Sequence, residues 1–279
     1  MKIVITGVNG FVGKALYRVL SEKHNVIGVY NSGNAVFENC YKVDLTNEEE
    51  IGLVFGKPET NGVDVIVHLA SKMASVKNAN DLDVLHNNTI MAKNVAFMAK
   101  KLNVNQVIYL SSSSVYPNID GVYNEESIPN PSLNSDCIYG LSKLNGEIIL
   151  NYFLTETDIK VTHLRASMIY GEGMDDTRLI PVIEKEIIEN NSVTLFGNGE
   201  RMLNLVKVEK LVEYISFFIE KPLSDVINIG DECISSLELA RQIISKKGNS
   251  ETKIILKEQG SKSQFILDIG KLNQIISSN

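Results

Sequence analysis

Apolar and polar positions over the first 165 residues fall into two alternating textures. Five short runs, KIVIT (2–6), NVIGVY (25–30), VDVIVHLA (63–70), QVIYLSS (106–112) and KVTHLR (160–165), are rich in Val and Ile, uncharged at their centres and bounded by Gly, Asn or Ser. Runs of this kind read as strands buried on both faces. Between them, Val12 to Lys23, Glu48 to Phe55, Leu82 to Leu102 and Tyr139 to Glu156 carry the spacing of amphipathic helices. Strands that alternate with helices connect through right-handed crossovers into a parallel sheet covered on both sides. The pattern predicts an α/β fold built on a doubly wound parallel sheet.

After Arg165 the texture changes. GEGMDD (171–176) reads as a loop, Leu179 to Glu189 as a helix, and VTLFGNGE (193–200) as a strand running into a glycine turn. A helix from Val208 to Ile219, a strand at VINIG (226–230) and helices at Ser236 to Ser245 and Asp268 to Ile276 follow. The expected division is a first domain over 1–165 and a smaller α/β lobe over 166–279, with some chain returning to the first. That lobe would pack on the carboxyl edge of the sheet, where open α/β sheets bind their ligands.

Composition narrows the function. With 279 residues, 44% hydrophobic and 22% charged, the chain can bury one large core or two small ones. A net charge of −7 without a basic run argues against a nucleic-acid partner and leaves a small molecule. No run of about 18 apolar residues is present to cross a bilayer, and Lys2 leads straight into a strand rather than a signal peptide, so a cytoplasmic location is expected. Cys40, Cys137 and Cys233 are odd in number and lack ligand spacing, so reduced thiols and no metal site are expected.

Chemistry enters at three places. TGVNGFVG (6–13) sets Gly7, Gly10 and Gly13 between the first strand and the helix that starts near Phe11 and Val12. A helix start presents unpaired N–H groups and the positive end of its dipole, and side chains at those glycines would obstruct a pyrophosphate or the packing of helix on strand. A tight strand-to-helix turn can want such glycines for packing only, but after a strand and before an amphipathic helix they read as the dinucleotide-binding turn of a Rossmann-type sheet. In YGLSK, Tyr139 and Lys143 stand four apart and share a helix face, where an ammonium can stabilise a phenolate. LSSSSVYP (110–117) gathers hydroxyls at the carboxyl end of a strand, where they can meet a substrate oxygen. His163 and His68 read as core histidines, His86 as a surface position, and Glu48 to Glu50 as a first helical turn that favours the dipole.

Taken together, TGVNGFVG, HLAS (68–71), NNTIMAKNV (87–95), SSSSVY (111–116) and YGLSK resemble, in order and spacing, the extended short-chain dehydrogenase/reductase family, the NAD-dependent epimerase/dehydratase group acting on nucleotide sugars. The similarity runs from residue 1 to about Tyr170 and more loosely beyond. It implies a catalytic set of Ser112, Tyr139 and Lys143. Ser112 would bind the reacting oxygen, with Ser111 and Ser113 as runners-up; Tyr139 would pass the proton; Lys143 would hold the nicotinamide ribose and lower the phenol's pKa. By the same resemblance Gly7, Gly10, Phe11, Val12 and Gly13 hold the pyrophosphate, Asp44 and Leu45 face the adenine, and Leu69, Ala70, Ser71 and Ser111 line the cofactor. Asn88 supports the site. Asp44 also reads as part of a helix cap, a role that Thr46 or Asn47 can fill instead.

Tyr30, Asn31 and Ser32 end the second strand, where an acid would grip the ribose hydroxyls of NAD and repel the phosphate of NADP. With no acid there, NADP(H) is favoured mildly over NAD(H). Two departures bear on substrate. Met168 stands where many relatives have an Asn near the substrate diphosphate, and Leu203 where they have a clamping Arg, with Arg201 two residues early. RASMIYG (165–171) is closer in flavour to dTDP-4-dehydrorhamnose reductase-like enzymes, and Arg178, Arg201 or Lys207 can approach a phosphate from another direction. The expected function is an NAD(P)H-dependent reductase of a 4-keto-6-deoxy nucleotide sugar, with Ser112, Ser113, Met168, Arg178 and Arg201 on the substrate side. An NAD-dependent 4-epimerase is the alternative, and a non-catalytic dinucleotide sensor the third reading. Ser113 and Ser114 stand where dehydratases place an Asp–Glu pair, which counts against dehydration. A homodimer is open to such a chain.

Overall fold

Ile3, Val4 and Ile5 are completely buried. Ile3 and Ile5 point to one face of the sheet and Val4 to the other, so a continuous apolar run is what a strand covered on both sides requires. In the computed structural model, which describes residues 1–73 and 81–278, the first part of the chain runs β1 (Lys2–Thr6), α1 (Phe11–Leu20), β2 (Asn25–Tyr30), β3 (Cys40–Lys42), α2 (Glu48–Phe55), β4 (Val65–His68), α3 (Leu82–Leu102), β5 (Gln106–Ser112), β6 (Gly121–Tyr123), α4 (Cys137–Leu154) and β7 (Lys160–Ala166). The remainder runs β8 (Met168–Tyr170), α5 (Leu179–Asn190), β9 (Ser192–Phe196), β10 (Met202–Lys207), α6 (Val208–Glu220), β11 (Asp225–Ile229), β12 (Glu232–Ser235), α7 (Ser236–Lys247), β13 (Lys253–Lys257), β14 (Phe265–Leu267) and α8 (Gly270–Ser277).

Seven parallel strands form the central sheet in the order β11-β7-β5-β4-β1-β2-β3. The direction of strand addition reverses between β1 and β4, which opens a crevice at their carboxyl ends. One face of the sheet is covered by α1, α6 and α8, through Leu16, Leu211, Ile215, Phe218 and Leu272. The other is covered by α2, α3 and α4, through Ile51, Phe55, Val95, Met98 and Leu150. A separate core holds the smaller lobe, where Ile183, Ile187, Leu195, Leu205, Leu239 and Ile243 join α5, β9, β10 and α7.

The long elements start where local chemistry directs. Asn47 caps α2 by accepting the N–H groups of Glu49 and Glu50, and Asp81 caps α3 by accepting that of Asp83. Helix bounds differ from the expected ones by up to three residues: α1 stops at Leu20 rather than Lys23, α4 spans Cys137–Leu154 rather than 139–156, α7 runs on to Lys247 rather than Ser245, and α8 spans Gly270–Ser277 rather than 268–276. The chain crosses between lobes more than once. After β10 it returns to the central sheet as α6 and β11, with Ile227 paired to Leu164, and it returns again as α8. Among the described residues no helix is long and apolar enough to cross a membrane.

Candidate active site

The three glycines of the first turn have different neighbours. Gly7 has φ +72°, a backbone state that side chains resist, and a Cβ there would stand 2.8 Å from the Ala70 nitrogen. A Cβ on Gly13 would collide with the Gly7 carbonyl and with Val8. Those two glycines let β1, α1 and the segment after β4 approach one another. Gly10 is exposed, and a Cβ there would meet only the Gly7 oxygen, at 3.1 Å. No side chain caps α1 at Gly10, so its first-turn donors face the crevice. An open cradle at an uncapped helix start, at the point of strand reversal, fits the pyrophosphate of a dinucleotide.

Around this turn, Phe11 is half-buried and Val12 packs into the core. Asn9, a residue the sequence reading passed over, donates to the carbonyls of Ser32 and Asn34, each at 3.0 Å, and so ties the glycine turn to the segment after β2. Asn31 and Ser32 are exposed and Tyr30 is half-buried at the strand end. Asp44 accepts from the backbone and hydroxyl of Thr46 at 2.8 and 2.7 Å, while the cap of α2 is Asn47. The Leu45 side chain lies in the core.

The residues after β4 are held by two devices. Thr6 Oγ1 accepts from the N–H groups of Leu69 and Ala70 at 3.2 and 3.1 Å and lies 2.7 Å from His68 Nδ1. A hydroxyl already accepting twice donates to that nitrogen, which makes His68 a neutral acceptor. Burial, with the Lys143 charge second, holds its pKa near 3. Asn88 grips both backbone groups of Lys72 and donates to Ser142 Oγ at 2.9 Å, and Ser142 donates to the Tyr139 carbonyl. Asn88 thus joins the Leu69–Lys72 segment to α4.

Ser112 ends β5 and its hydroxyl oxygen accepts the Ser114 N–H at 3.1 Å, capping the short helical turn Ser113–Val115. The hydroxyl hydrogen remains for another acceptor. Ser111 is buried and its hydroxyl donates to Glu147, whereas Ser113 is half-buried in the turn. Gly140 lets α4 press on this turn, since a Cβ there would run into the Ser114 carbonyl. That contact fixes the first turns of α4, which carry Tyr139, against the turn that follows Ser112. Lys143 is 2% exposed and donates to the Leu110 carbonyl at 2.9 Å, its nitrogen 5.6 Å from the Tyr139 ring centre and 5.0 Å from that of Tyr109.

Electrostatics here differ from the sequence expectation. Desolvation pushes the Tyr139 pKa up to about 12, opposed by the Ser71 hydroxyl and the Arg178 charge. Desolvation also lowers Lys143 to about 7, opposed by Glu147. Within the chain alone, burial outweighs any pull of the lysine on the phenol, and Tyr139 is a neutral phenol.

On the substrate side, Met168 starts β8 and is half-buried. Arg178 is exposed at the start of α5 and its charge reaches Tyr139. Arg201 is exposed ahead of β10, and Leu203 is fully within the lobe's core. Lys207 lines a cleft of about 200 Å³ with Tyr170, Glu184, Glu232 and Lys246. His163 is buried and bonded to Asn151, and His86 is exposed. Among the described residues no cluster of His, Cys, Asp or Glu could hold a metal ion.

Comparison with known proteins identifies the family. Residues 3–230 match the NAD dependent epimerase/dehydratase family. Over 99% of its length the chain is 26% identical to an uncharacterized UDP-glucose epimerase, YtcB, of Bacillus subtilis, covering 92% of that protein. It is 23% identical to dTDP-4-dehydro-6-deoxy-D-allose reductase of Streptomyces bikiniensis, covering 98% of this chain and 90% of the other. Among solved structures, MoeE5 in complex with UDP-glucose and NAD shares the fold with a TM-score of 0.83 and 20% identity, over 99% of this chain and 92% of that one. The chain belongs to the NAD-dependent epimerase/dehydratase family, the extended short-chain dehydrogenase/reductases, an enzyme family of nucleotide-sugar epimerases, dehydratases and reductases.

Proposed function

We propose that the chain is an NADPH-preferring reductase of a 4-keto-6-deoxy nucleotide sugar, with Ser112, Tyr139 and Lys143 as its catalytic residues. The observation that carries this reading is a protonated, half-buried phenol at Tyr139, on the helix that Gly140 seats against the turn capped by Ser112. A nicotinamide dinucleotide, bound at Gly7, Gly10 and Gly13, supplies hydride transfer. Ser112 donates a hydrogen bond to the carbonyl oxygen and polarises it. Tyr139 gives its proton to that oxygen as the carbonyl carbon gains hydride, so the product is an alcohol and the phenolate is reprotonated from solvent. Lys143 stabilises that transient phenolate and holds ribose hydroxyls.

The preference for NADPH rests on Asn31 and Ser32, exposed and uncharged at the end of β2. Arg178, whose charge already reaches Tyr139, is the best-placed contact for a substrate phosphate. The second reading, an NAD-dependent 4-epimerase, is favoured by the likeness to YtcB. Exposed apolar side chains on α3 and α4, Phe97, Ile148 and Tyr152, support a homodimer, and the absence of a membrane-crossing helix among the described residues supports a cytoplasmic setting.

One experiment separates the readings. The purified protein is mixed with NADPH or NADH and a panel of 4-keto-6-deoxy nucleotide sugars and UDP-hexoses. Stoichiometric oxidation of NADPH with a keto sugar is expected, with Asn31→Asp reversing the cofactor preference by charge repulsion. Interconversion of UDP-hexoses at constant dinucleotide would establish the epimerase instead.

A further inference from the structure

One turn along α4 from Lys143 lies a buried ion pair that the catalytic scheme leaves unused. Glu147 Oε1 accepts from Arg165 Nε at 3.0 Å and Oε2 from Nη2 at 2.7 Å, with both side chains 5% exposed. Ser111 donates a further hydrogen bond to Glu147. Arg165 Nη1 also donates to the Tyr116 hydroxyl at 2.8 Å, which lies 2.9 Å from both Asn228 Oδ1 and the Asn124 carbonyl. Asn228 in turn donates to the carbonyls of Tyr123 and Asp268, beside the β6–β14 pair. Buried pairs of this kind contribute little net stability compared with apolar residues of the same shape, because desolvation offsets the attraction. Their position therefore calls for a role other than stability.

Lys143 and Glu147 stand four apart and share one face of α4. They grip successive residues at the end of β5: the ammonium donates to the Leu110 carbonyl and the carboxylate accepts from the Ser111 hydroxyl. Ser112 is the next residue. We propose that Glu147, locked by Arg165 and Ser111, is a positioning residue for Lys143 that keeps its ammonium charged and seated against the end of β5. The proposal rests on the reading of Lys143 given above.

The groups facing Lys143 bear this out. Tyr139 from α4 and Tyr109 from β5 are phenols that burial keeps protonated, and His68 from β4 is an imidazole that burial keeps neutral. Glu147 supplies the negative charge among these neighbours, and Arg165 from β7, bonded to both its carboxylate oxygens, the opposing positive one. Desolvation brings Lys143 down to about 7 and the Glu147 carboxylate acts against that fall. The ammonium is present below that value and lost as pH rises through it, so without Glu147 it is lost at lower pH.

The test is an NMR titration of protein labelled with ¹³C at the lysine Cε, the Lys143 signal identified by its loss in Lys143→Met. In Glu147→Gln the Lys143 midpoint should fall by at least about one pH unit. Because that variant strands a buried guanidinium and can fail to fold, Glu147→Gln/Arg165→Gln removes both charges, and the fall should persist in it. A wild-type midpoint in either folded variant overturns the proposal. The alkaline loss of NADPH affinity should move down with the lysine midpoint. A shifted midpoint beside an NADPH affinity indifferent to pH still supports the proposal, and removes instead the ribose-holding role of Lys143.

Discussion

Gly10 is the one glycine of the first turn whose missing side chain serves nothing inside the protein. Gly7 and Gly13 are required by the close approach of Ala70 and of the Gly7 carbonyl, whereas Gly10 opens outward. Gly10→Val should therefore cut NADPH affinity by at least about 100-fold, a branched side chain on a pyrophosphate site being a steric exclusion, and leave a cooperative melt. Titration calorimetry and circular dichroism read the two effects separately. The spacing of the glycines and of Tyr139 and Lys143 is legible in the sequence because each set serves one local element. The serine run is less so: four identical residues carry no pattern, and only burial distinguishes Ser111, turned to Glu147, from Ser112, which caps the following turn. Thr6, Asn9, Glu147 and Arg165 act through partners far along the chain. Arg165 did leave a signal, as a charged residue at the end of a run otherwise buried on both faces.

At the level of elements, α4 carries the site. Its N-terminal turn lies against Ser113–Val115 because Gly140 has no side chain, and its next turns are fixed to β5 through Lys143 and Glu147. Gly140→Ala puts a methyl group into the Ser114 carbonyl, so helix or turn must move. A loss of roughly 1–3 kcal/mol in stability is expected, the usual cost of overpacking, with a fall in kcat larger than any change in NADPH affinity, because the movement displaces the turn of α4 that carries Tyr139. Denaturant titration and steady-state kinetics measure both. The longer helices and the main strands were legible from periodicity to within two or three residues. The short strands β3, β6, β8, β10, β12, β13 and β14 were not: most have one half-exposed side, and β6 finds its partner β14 only through a pairing that spans more than half the chain.

For the whole molecule, the two-part texture of the sequence corresponds to a sheet packed on both faces and a lobe with its own core, but the chain does not divide once at residue 165. α6 and β11 complete the first sheet after the lobe has begun, and Asn228 of β11 links that sheet to the segments around Tyr123 and Asp268. Periodicity identifies elements and is silent about which sheet an element joins, so this return was foreseen only in outline. The same joining places Arg178 of the lobe within electrostatic reach of Tyr139 of the sheet domain. A nucleotide sugar held by the lobe would thus be presented to the hydroxyl, phenol and ammonium of the first domain, and the proposed reduction would draw on the phenol's single proton. The most direct measurement is the turnover of Tyr139→Phe with NADPH and an accepted keto sugar, alongside its NADPH dissociation constant. The account predicts a loss of at least about 100-fold in kcat, the lower range for proton transfer by a placed side chain, with NADPH affinity nearly unchanged; nearly full turnover in Tyr139→Phe would contradict it.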